Sequence, residues 1–176
     1  MFISSISRRK YFEQRRLSSG PARIIFFGFL FFCALFLSGG QARAKVKEVS
    51  CGPERIIGFW NTQKGDAHIE FYRSGNMFLG RLAWLRQPND EKGRPAVDEN
   101  NPDPRLRKQP ILGLVIIHAV YTGGDSWKGR VYDPDSGKTY NCLISLKGAG
   151  TLKLRGYLGL SIFGRTETWT RVKSSF

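Results

Sequence analysis

The sequence predicts an all-β protein whose strands close into an eight-stranded, up-and-down antiparallel barrel with one long insertion. Eight short segments rich in β-branched and aromatic residues follow one another, and most are joined by tight turns that contain glycine. No segment of useful length has the period of an amphipathic helix. Because a meander of hairpins leaves exposed edges unless the sheet closes on itself, a barrel is the expected architecture.

Residues 1–44 form a candidate export signal ahead of the barrel. A basic stretch precedes an apolar run from Ile24 to Leu37, and the motif Ala42-Arg43-Ala44 follows. This order is typical of a cleaved secretory signal, and the run is shorter than the roughly 20 apolar residues that span a membrane. Ser7 to Phe12 also resembles a twin-arginine signal, so both export routes remain open. We expect a periplasmic or secreted protein with an extension at 45–55 and a barrel domain at 56–173.

The strands are predicted from the turns between them, such as Lys64-Gly65-Asp66 and Ser74-Gly75-Asn76. In chain order they are Ile56–Gln63, Ala67–Arg73, Met77–Leu85, Leu114–Tyr121, Ser126–Tyr132, Lys138–Lys147, Thr151–Tyr157 and Arg165–Lys173. The apolar, glycine-bearing stretch LGLSIFG before the last strand is expected either to line the mouth of the barrel or to plug its floor.

The segment VDENNPDPRLRKQPILG, from Val97 to Gly113, is the Pro/Asn/Asp-rich part of the insertion. Its three prolines stiffen the backbone, and its amides and carboxylates can close local turns. The strand that follows, Leu114–Tyr121, is apolar on both faces, although one face of a barrel wall meets water. We therefore predict that Asp98–Pro110 covers the outer face of that strand, or the adjoining mouth, and that Leu106 and Ile111 become buried.

Long stretches of the chain resemble a family of secreted bacterial proteins that is known as a domain of unknown function. They include IGFWNTQKGDAHIEFY, YDPDSGKTYNCLISL and LKLRGYLGLSIFGRTETWTRV, within a similarity that extends from Ile56 to Val172. The resemblance implies a lipocalin-like barrel with an internal cavity, and it implies no established activity. Ser74 and Leu79 stand where many members of the family have a cysteine pair, so the family's disulfide does not carry over.

Three further residues match a pattern that lipocalins share. Lipocalins have Gly-x-Trp near the first strand and an arginine in the last strand that covers the tryptophan, and this sequence has Gly58-Phe59-Trp60 and Arg171. A guanidinium over an indole contributes on the order of 1 kcal/mol. The similarity implies a structural role for Gly58, Trp60 and Arg171 at the closed end of the barrel.

Cys51 and Cys142 are the cysteines that remain after the predicted export signal. An even number of cysteines in an oxidising compartment predicts one disulfide between them. Two separate buried thiols are the alternative.

We interpret the chain as a non-enzymatic binding protein that holds a small apolar or amphiphilic ligand in the barrel. Alternation along the strands predicts which aromatic residues line or rim the cavity. It also indicates arginines that could hold an anionic head group. These residues are Phe71, Phe78, Trp84, Trp127, Tyr132 and Tyr157, with Arg81, Arg105 and Arg107. The alternative is an envelope interaction or structural module with a filled barrel that binds anionic lipid, polysaccharide or a protein partner.

No motif in the sequence requires an enzyme, a metal or a cofactor. His68 and Glu70 share a strand face, but no Cys/His cluster completes a metal site with them. Asp133 and Asp135 have the opening spacing of a calcium loop without its final glutamate. The carboxylates of DENNPDP could serve glycoside hydrolysis but are expected to close turns. The net charge of +14 favours solubility or affinity for anionic envelope surfaces, and nucleic acid is not expected as a partner of an exported protein.

Overall fold

The protein is a closed antiparallel barrel of eight strands, in which each strand pairs with its neighbours in sequence and β1 pairs with β8. The computed structural model describes residues 52–173. The strands are β1 (Gly58–Asn61), β2 (Ala67–Ser74), β3 (Met77–Leu85), β4 (Val115–Gly123), β5 (Ser126–Asp133), β6 (Lys138–Lys147), β7 (Thr151–Tyr157) and β8 (Arg165–Arg171). This architecture confirms the predicted eight-stranded barrel. The predicted export signal and most of the extension lie outside the described residues.

The described helical structure is short. Three 3-10 helices occupy Pro53–Ile56, Pro104–Leu106 and Ser161–Phe163. The first of them takes Ile56 out of the predicted first strand, because the fixed φ of Pro53 suits the start of a helical turn. Within residues 52–173, no helix is long and apolar enough to cross a membrane.

The core lies inside the barrel and is built by alternation along the strands. In β7, Leu152 and Leu154 point inward and are buried, whereas Lys153 between them is exposed. The largest fully buried side chains include Trp60 and Trp169. Burying an aromatic side chain of this size contributes several kcal/mol, so the inner face supplies most of the stability of the fold.

A β-bulge reverses the alternation in β3. Ile69 pairs with Leu82 and His68 pairs with Trp84, so Ala83 is an extra residue in β3. The bulge turns Trp84 outward, where the side chain is 42% exposed and its ring lies 4.5 Å from the ring of His68. Trp84, which was predicted to line or rim the cavity, therefore lies on the outer wall, because strict alternation from Leu82 does not hold across the bulge.

The insertion (residues 86–114) connects β3 to β4 and is held against β5 and the β5–β6 turn. Asp98 is fully buried and accepts hydrogen bonds from the Tyr132 hydroxyl at 2.8 Å and from Asn101 Nδ2 at 2.7 Å. Asn100 Nδ2 donates to the carbonyl of Asp135 at 3.0 Å in the β5–β6 turn. Two isolated β-bridges, one of them Val97–Pro110, fold the insertion back on itself. The insertion is thus ordered by its amides and carboxylates, as its composition predicts.

One of the two apolar insertion residues that were predicted to be buried is exposed. Ile111 is buried as predicted, and so are Ile116 and Ile117, which are consecutive because a β-bulge opposite Gly80 and Arg81 makes Ile116 an extra residue in β4. Val120, further along the strand, is exposed. Leu106 is 45% exposed, which contradicts the prediction, because it belongs to the solvent-facing 3-10 helix Pro104–Leu106.

Candidate functional site: the barrel interior and its loop end

The two ends of the barrel are built differently. The 3-10 helix Pro53–Ile56 lies at one end, here called the capped end, where Arg55 forms an ion pair with Asp125 and donates to the carbonyl of Gly148 at 3.3 Å. These two partners lie in the turns after β4 and β6. The opposite end, here called the loop end, carries the β1–β2 turn, the insertion, the β5–β6 turn and residues 158–164.

Arg171 locks the capped end. Its guanidinium carbon lies 4.2 Å from the ring centroid of Trp60, and it donates to the backbone carbonyls of Arg55, Ile57 and Ala149. The Trp60 indole donates to the carbonyl of Ile56 at 2.8 Å. The structure therefore places Arg171 over Trp60, as the lipocalin pattern implies.

Gly58 stands beside this contact in a conformation that favours glycine. Its φ is +117°, and a Cβ there would lie 3.0 Å from Arg171 Nη1. Burial, and then the nearby charge of Arg55, lower the pKa of the Arg171 guanidinium. The Gly58, Trp60 and Arg171 group is thus a packed structural unit far from the loop end.

Three of the predicted cavity residues do face the interior. Phe71, Phe78 and Trp127 are all buried and lie on inward-facing positions of β2, β3 and β5. The Phe78 and Trp127 rings meet edge to face with centroids 6.3 Å apart, and Tyr121 lies 5.6 Å from Trp127. Together they form an aromatic floor in the half of the barrel near the capped end.

A row of small residues crosses the inner wall from Phe78, which pairs with the first of them. Ala119, Gly129, Cys142 and Gly156 are successive cross-strand partners in β4, β5, β6 and β7. A Cβ at Gly129 would lie 1.9 Å from the carbonyl oxygen of His118, so glycine is required where these two strands approach closely. The inner wall is consequently lined there by less side-chain volume than in the neighbouring rows.

Cys142 is a buried thiol inside the barrel with no disulfide partner among the described residues, and its predicted partner Cys51 lies outside them. Its side chain occupies an inward position between the two glycines that pair with it, Gly129 and Gly156. Burial raises the pKa of the thiol to about 12, which makes the thiolate scarce and the group chemically inert. Counting cysteines did not show that Cys142 faces inward, and Cys51 lies outside the described residues.

The indole N–H of Trp127 has no hydrogen-bond acceptor within residues 52–173, although the side chain is buried. The other buried tryptophans differ, since Trp60 donates to a backbone carbonyl and Trp169 donates to Glu167 Oε2 at 3.1 Å. A buried donor without an acceptor is unfavourable by about 1–3 kcal/mol. Trp127 therefore presents an unused donor on the inner face of the barrel.

Two acidic side chains lie on the inner faces of their strands toward the loop end. Glu167 shares the inner face of β8 with Trp169, and Asp133 ends β5 on the same face as Val131; both carboxylates are buried. Burial is the main cause that raises the pKa of Asp133, and the charge of Glu167 raises it further. Two opposing contributions come from hydrogen bonds that Asp133 accepts, one of them from Ser136 Oγ at 2.7 Å.

The remaining predicted ligand residues lie on the outer wall or on the insertion. Arg81 faces outward, 2.6 Å from Glu70, and Tyr132 contacts the insertion through Asp98. Tyr157 lies on the outer face of β7, whereas Leu154 in the same strand lies on the inner face. The other two are Arg105, which pairs with Asp103, and Arg107, which donates to the carbonyl of Asn101. The structure brings none of these side chains into the interior.

Sequence reasoning missed Glu167, Asp133 and the row of small residues. Alternation in Thr166-Glu167-Thr168-Trp169 was enough to place Glu167 on the inner face beside Trp169. The row of small residues had no such signal, because it depends on the register of four different strands.

The outer-wall pair His68 and Glu70 does not reach further ligands. Among the described residues, no group of three or more His, Cys, Asp or Glu is arranged to hold a metal ion. The ring of His68 lies against Trp84, and its partial burial lowers the pKa of the imidazole.

Comparison with known proteins identifies related sequences and a related fold. A family model described as "Uncharacterized protein conserved in bacteria (DUF2147)" matches residues 58–171. A solved structure titled "Protein HP1028 from the human pathogen Helicobacter pylori belongs to the lipocalin family" is similar, with a TM-score of 0.57 and 27% sequence identity over 67% of this chain and 83% of that chain. No curated protein matches the chain.

Proposed function

Since the chain belongs to the DUF2147 family of uncharacterized bacterial proteins and has a lipocalin-like barrel, we propose that it is a non-enzymatic protein that binds a small apolar or amphiphilic molecule. Lipocalin-like folds in general bind small hydrophobic ligands inside the barrel. The apolar part of the ligand lies against the row of small residues and above the aromatic floor. The predicted export signal makes the periplasm or the exterior the compartment of this proposed activity.

The buried indole N–H of Trp127 carries the proposal. Phe78 has no acceptor atom, and the Tyr121 hydroxyl is engaged with the carbonyl of Gly124 and does not accept from the indole, so a group from outside the described residues can satisfy this donor. A ligand hydroxyl, carbonyl or ether oxygen provides such an acceptor. One acceptor in a mainly apolar site is the usual composition of a small-molecule pocket, where a few polar groups fix the orientation.

The buried charges of the interior support a ligand that has no anionic group at the end that lies toward the loop end of the barrel. The buried carboxyl groups near the loop end, Asp133 and Glu167, repel an anion and favour a hydroxyl or ammonium donor. The arginines first proposed to hold an anionic head group face away from the interior. We therefore propose a neutral or cationic amphiphile with an oxygen acceptor near Trp127.

The test uses an uncharged apolar dye, N-phenyl-1-naphthylamine, with the chain purified from its bacterial host. Cys142→Leu enlarges an inward side chain in the row of small residues, whereas Leu143→Phe enlarges its exposed neighbour on the outer face of β6. Because filling a packed interior costs about 1–3 kcal/mol, both variants are first checked by thermal melting. We expect Cys142→Leu to weaken dye binding at least about tenfold, equivalent to 1.4 kcal/mol, and Leu143→Phe to leave it unchanged. Equal binding by both folded variants contradicts an interior site.

A further inference from the structure

The connection between β7 and β8 exposes four large apolar side chains at the loop end. This rim loop (residues 158–164) contains Leu158, Leu160, Ile162 and Phe163, which are 59%, 67%, 71% and 79% exposed. Single exposed apolar residues are common on protein surfaces, but a contiguous group of this kind marks an interaction site. The stretch lies at the mouth of the barrel, which is one of the two places predicted from the sequence, but its apolar side chains point into solvent and do not plug the floor.

The backbone of the rim loop is anchored, so its apolar side chains are held in solvent by an ordered scaffold. Arg155 Nε donates to the carbonyl of Ser161 at 2.8 Å, and Arg155 Nη2 donates to the carbonyl of Ile162 at 3.0 Å. Gly164 lies so close to the end of β7 that a Cβ would be 2.7 Å from the carbonyl oxygen of Gly156. A 3-10 helix over Ser161–Phe163 completes the turn. Rigid exposure of this kind lowers the entropy lost on docking.

The charged residues that adjoin the rim loop in sequence are positive. Lys153, Arg155 and Arg165 flank it, and the sequence from Lys153 to Thr166 contains no acidic residue. Glu167, the next acid along the chain, is buried inside the barrel. Leucine, isoleucine and phenylalanine beside arginine and lysine form the composition of segments that enter the interface of anionic membranes.

We propose that the rim loop docks on the surface of an anionic phospholipid bilayer. Ile162 and Phe163 enter the boundary between head groups and acyl chains, and the exposed charge of Arg165 faces lipid phosphates. Docking in this orientation turns the loop end of the barrel toward the membrane. The inference does not depend on a ligand in the interior, because the rim loop lies outside the barrel wall.

The test locates the contact as well as detecting it, since other parts of the chain can also bind lipid. Phe163→Trp places a fluorophore at the rim loop, and Leu143→Trp places one on the exposed outer face of β6. Each variant is mixed with phosphatidylcholine vesicles, with or without phosphatidylglycerol, whose acyl chains carry bromine as a quencher. We expect additional quenching for Phe163→Trp and none for Leu143→Trp, and only where phosphatidylglycerol is present.

A second pair of variants measures the contribution of the loop to affinity. Ile162→Ser with Phe163→Ser removes two apolar side chains, and Met77→Ser removes one exposed apolar side chain from the start of β3 at the capped end. We expect the double variant to bind phosphatidylglycerol vesicles at least about tenfold more weakly, and Met77→Ser to bind like the parent.

Four results overturn the proposal: no vesicle binding, no quenching at position 163, equal binding to vesicles without phosphatidylglycerol, and loop-dependent dimer formation in place of lipid binding. If Cys142→Leu loses dye binding but still docks on vesicles, the result bears on the interior site and leaves the docking proposal standing.

Discussion

Arg171→Ala should destabilise the barrel through the loss of several contacts at the capped end. The guanidinium donates to the backbone carbonyls of Arg55, Ile57 and Ala149, and it covers the ring of Trp60. Each hydrogen bond contributes a net of about 0.5–1.5 kcal/mol. The stacking contact adds on the order of 1 kcal/mol.

The total is reduced because Arg171 is only partly buried, so water replaces part of what is lost. After that reduction for solvent, the expected loss in the free energy of unfolding is about 2–3 kcal/mol. Trp60→Ala should lose more, about 3–5 kcal/mol, because it removes a fully buried aromatic side chain. Both are large fractions of the 5–15 kcal/mol that is typical of a whole domain.

The assay is urea unfolding followed by circular dichroism, which does not depend on the tryptophans. The matched control is Arg73→Ala, which removes an arginine from the same end whose partner, Glu54, is also solvent-exposed. An exposed ion pair of this kind contributes about 0–1 kcal/mol. If Arg171→Ala costs no more than Arg73→Ala, Arg171 does not lock the capped end and the lipocalin interpretation of β1 and β8 fails.

Three further predictions concern the interior and the N-terminus. In urea unfolding, Trp127→Phe should lower the free energy of unfolding less than Trp169→Phe does. The reason is that only Trp169→Phe leaves the buried carboxylate of Glu167 without its donor. Equal losses would refute the assignment of the unused N–H to Trp127. Burial raises the pKa of Asp133 above 3.8, so its contribution to stability falls as pH rises from that value through the folded pKa. The melting temperature of Asp133→Asn should therefore rise relative to that of the parent between about pH 3 and pH 7. A difference in melting temperature that stays constant over this range would refute the prediction. N-terminal sequencing of the exported protein should begin at Lys45, and a protein that begins at Met1 would exclude cleavage.

The strand pattern was predictable wherever one strand carries its own signal. Thr151–Tyr157 has clean alternation between glycine-bearing turns, and the structure has β7 over the same residues. Trp84 was misplaced because the bulge beside Ile69 is a property of two paired strands. Alternation along one strand predicts which face a side chain occupies, but only as far as the next β-bulge. Beyond a bulge the extra residue reverses the alternation.

The candidate site was less predictable, because its parts come from different strands. Ala119, Gly129, Cys142 and Gly156 are far apart in sequence and become neighbours through the register of four strands. No short motif marks such a row. The contact between Arg171 and Trp60 could be anticipated only because the lipocalin pattern assigns an arginine of the last strand to the tryptophan of the first.

The most direct test of the binding proposal is the indole N–H resonance of Trp127 in a proton–nitrogen correlation spectrum. Trp127→Phe assigns the signal, and the chain is titrated with a long-chain alcohol and with an alkane of the same length. We expect the alcohol to shift the Trp127 resonance downfield through a new hydrogen bond, and the alkane to cause no comparable shift. The indole resonances of Trp60 and Trp169 should move little, because both already have acceptors. An unmoved Trp127 resonance, or a shift confined to the exposed Trp84, would contradict a ligand site inside the barrel.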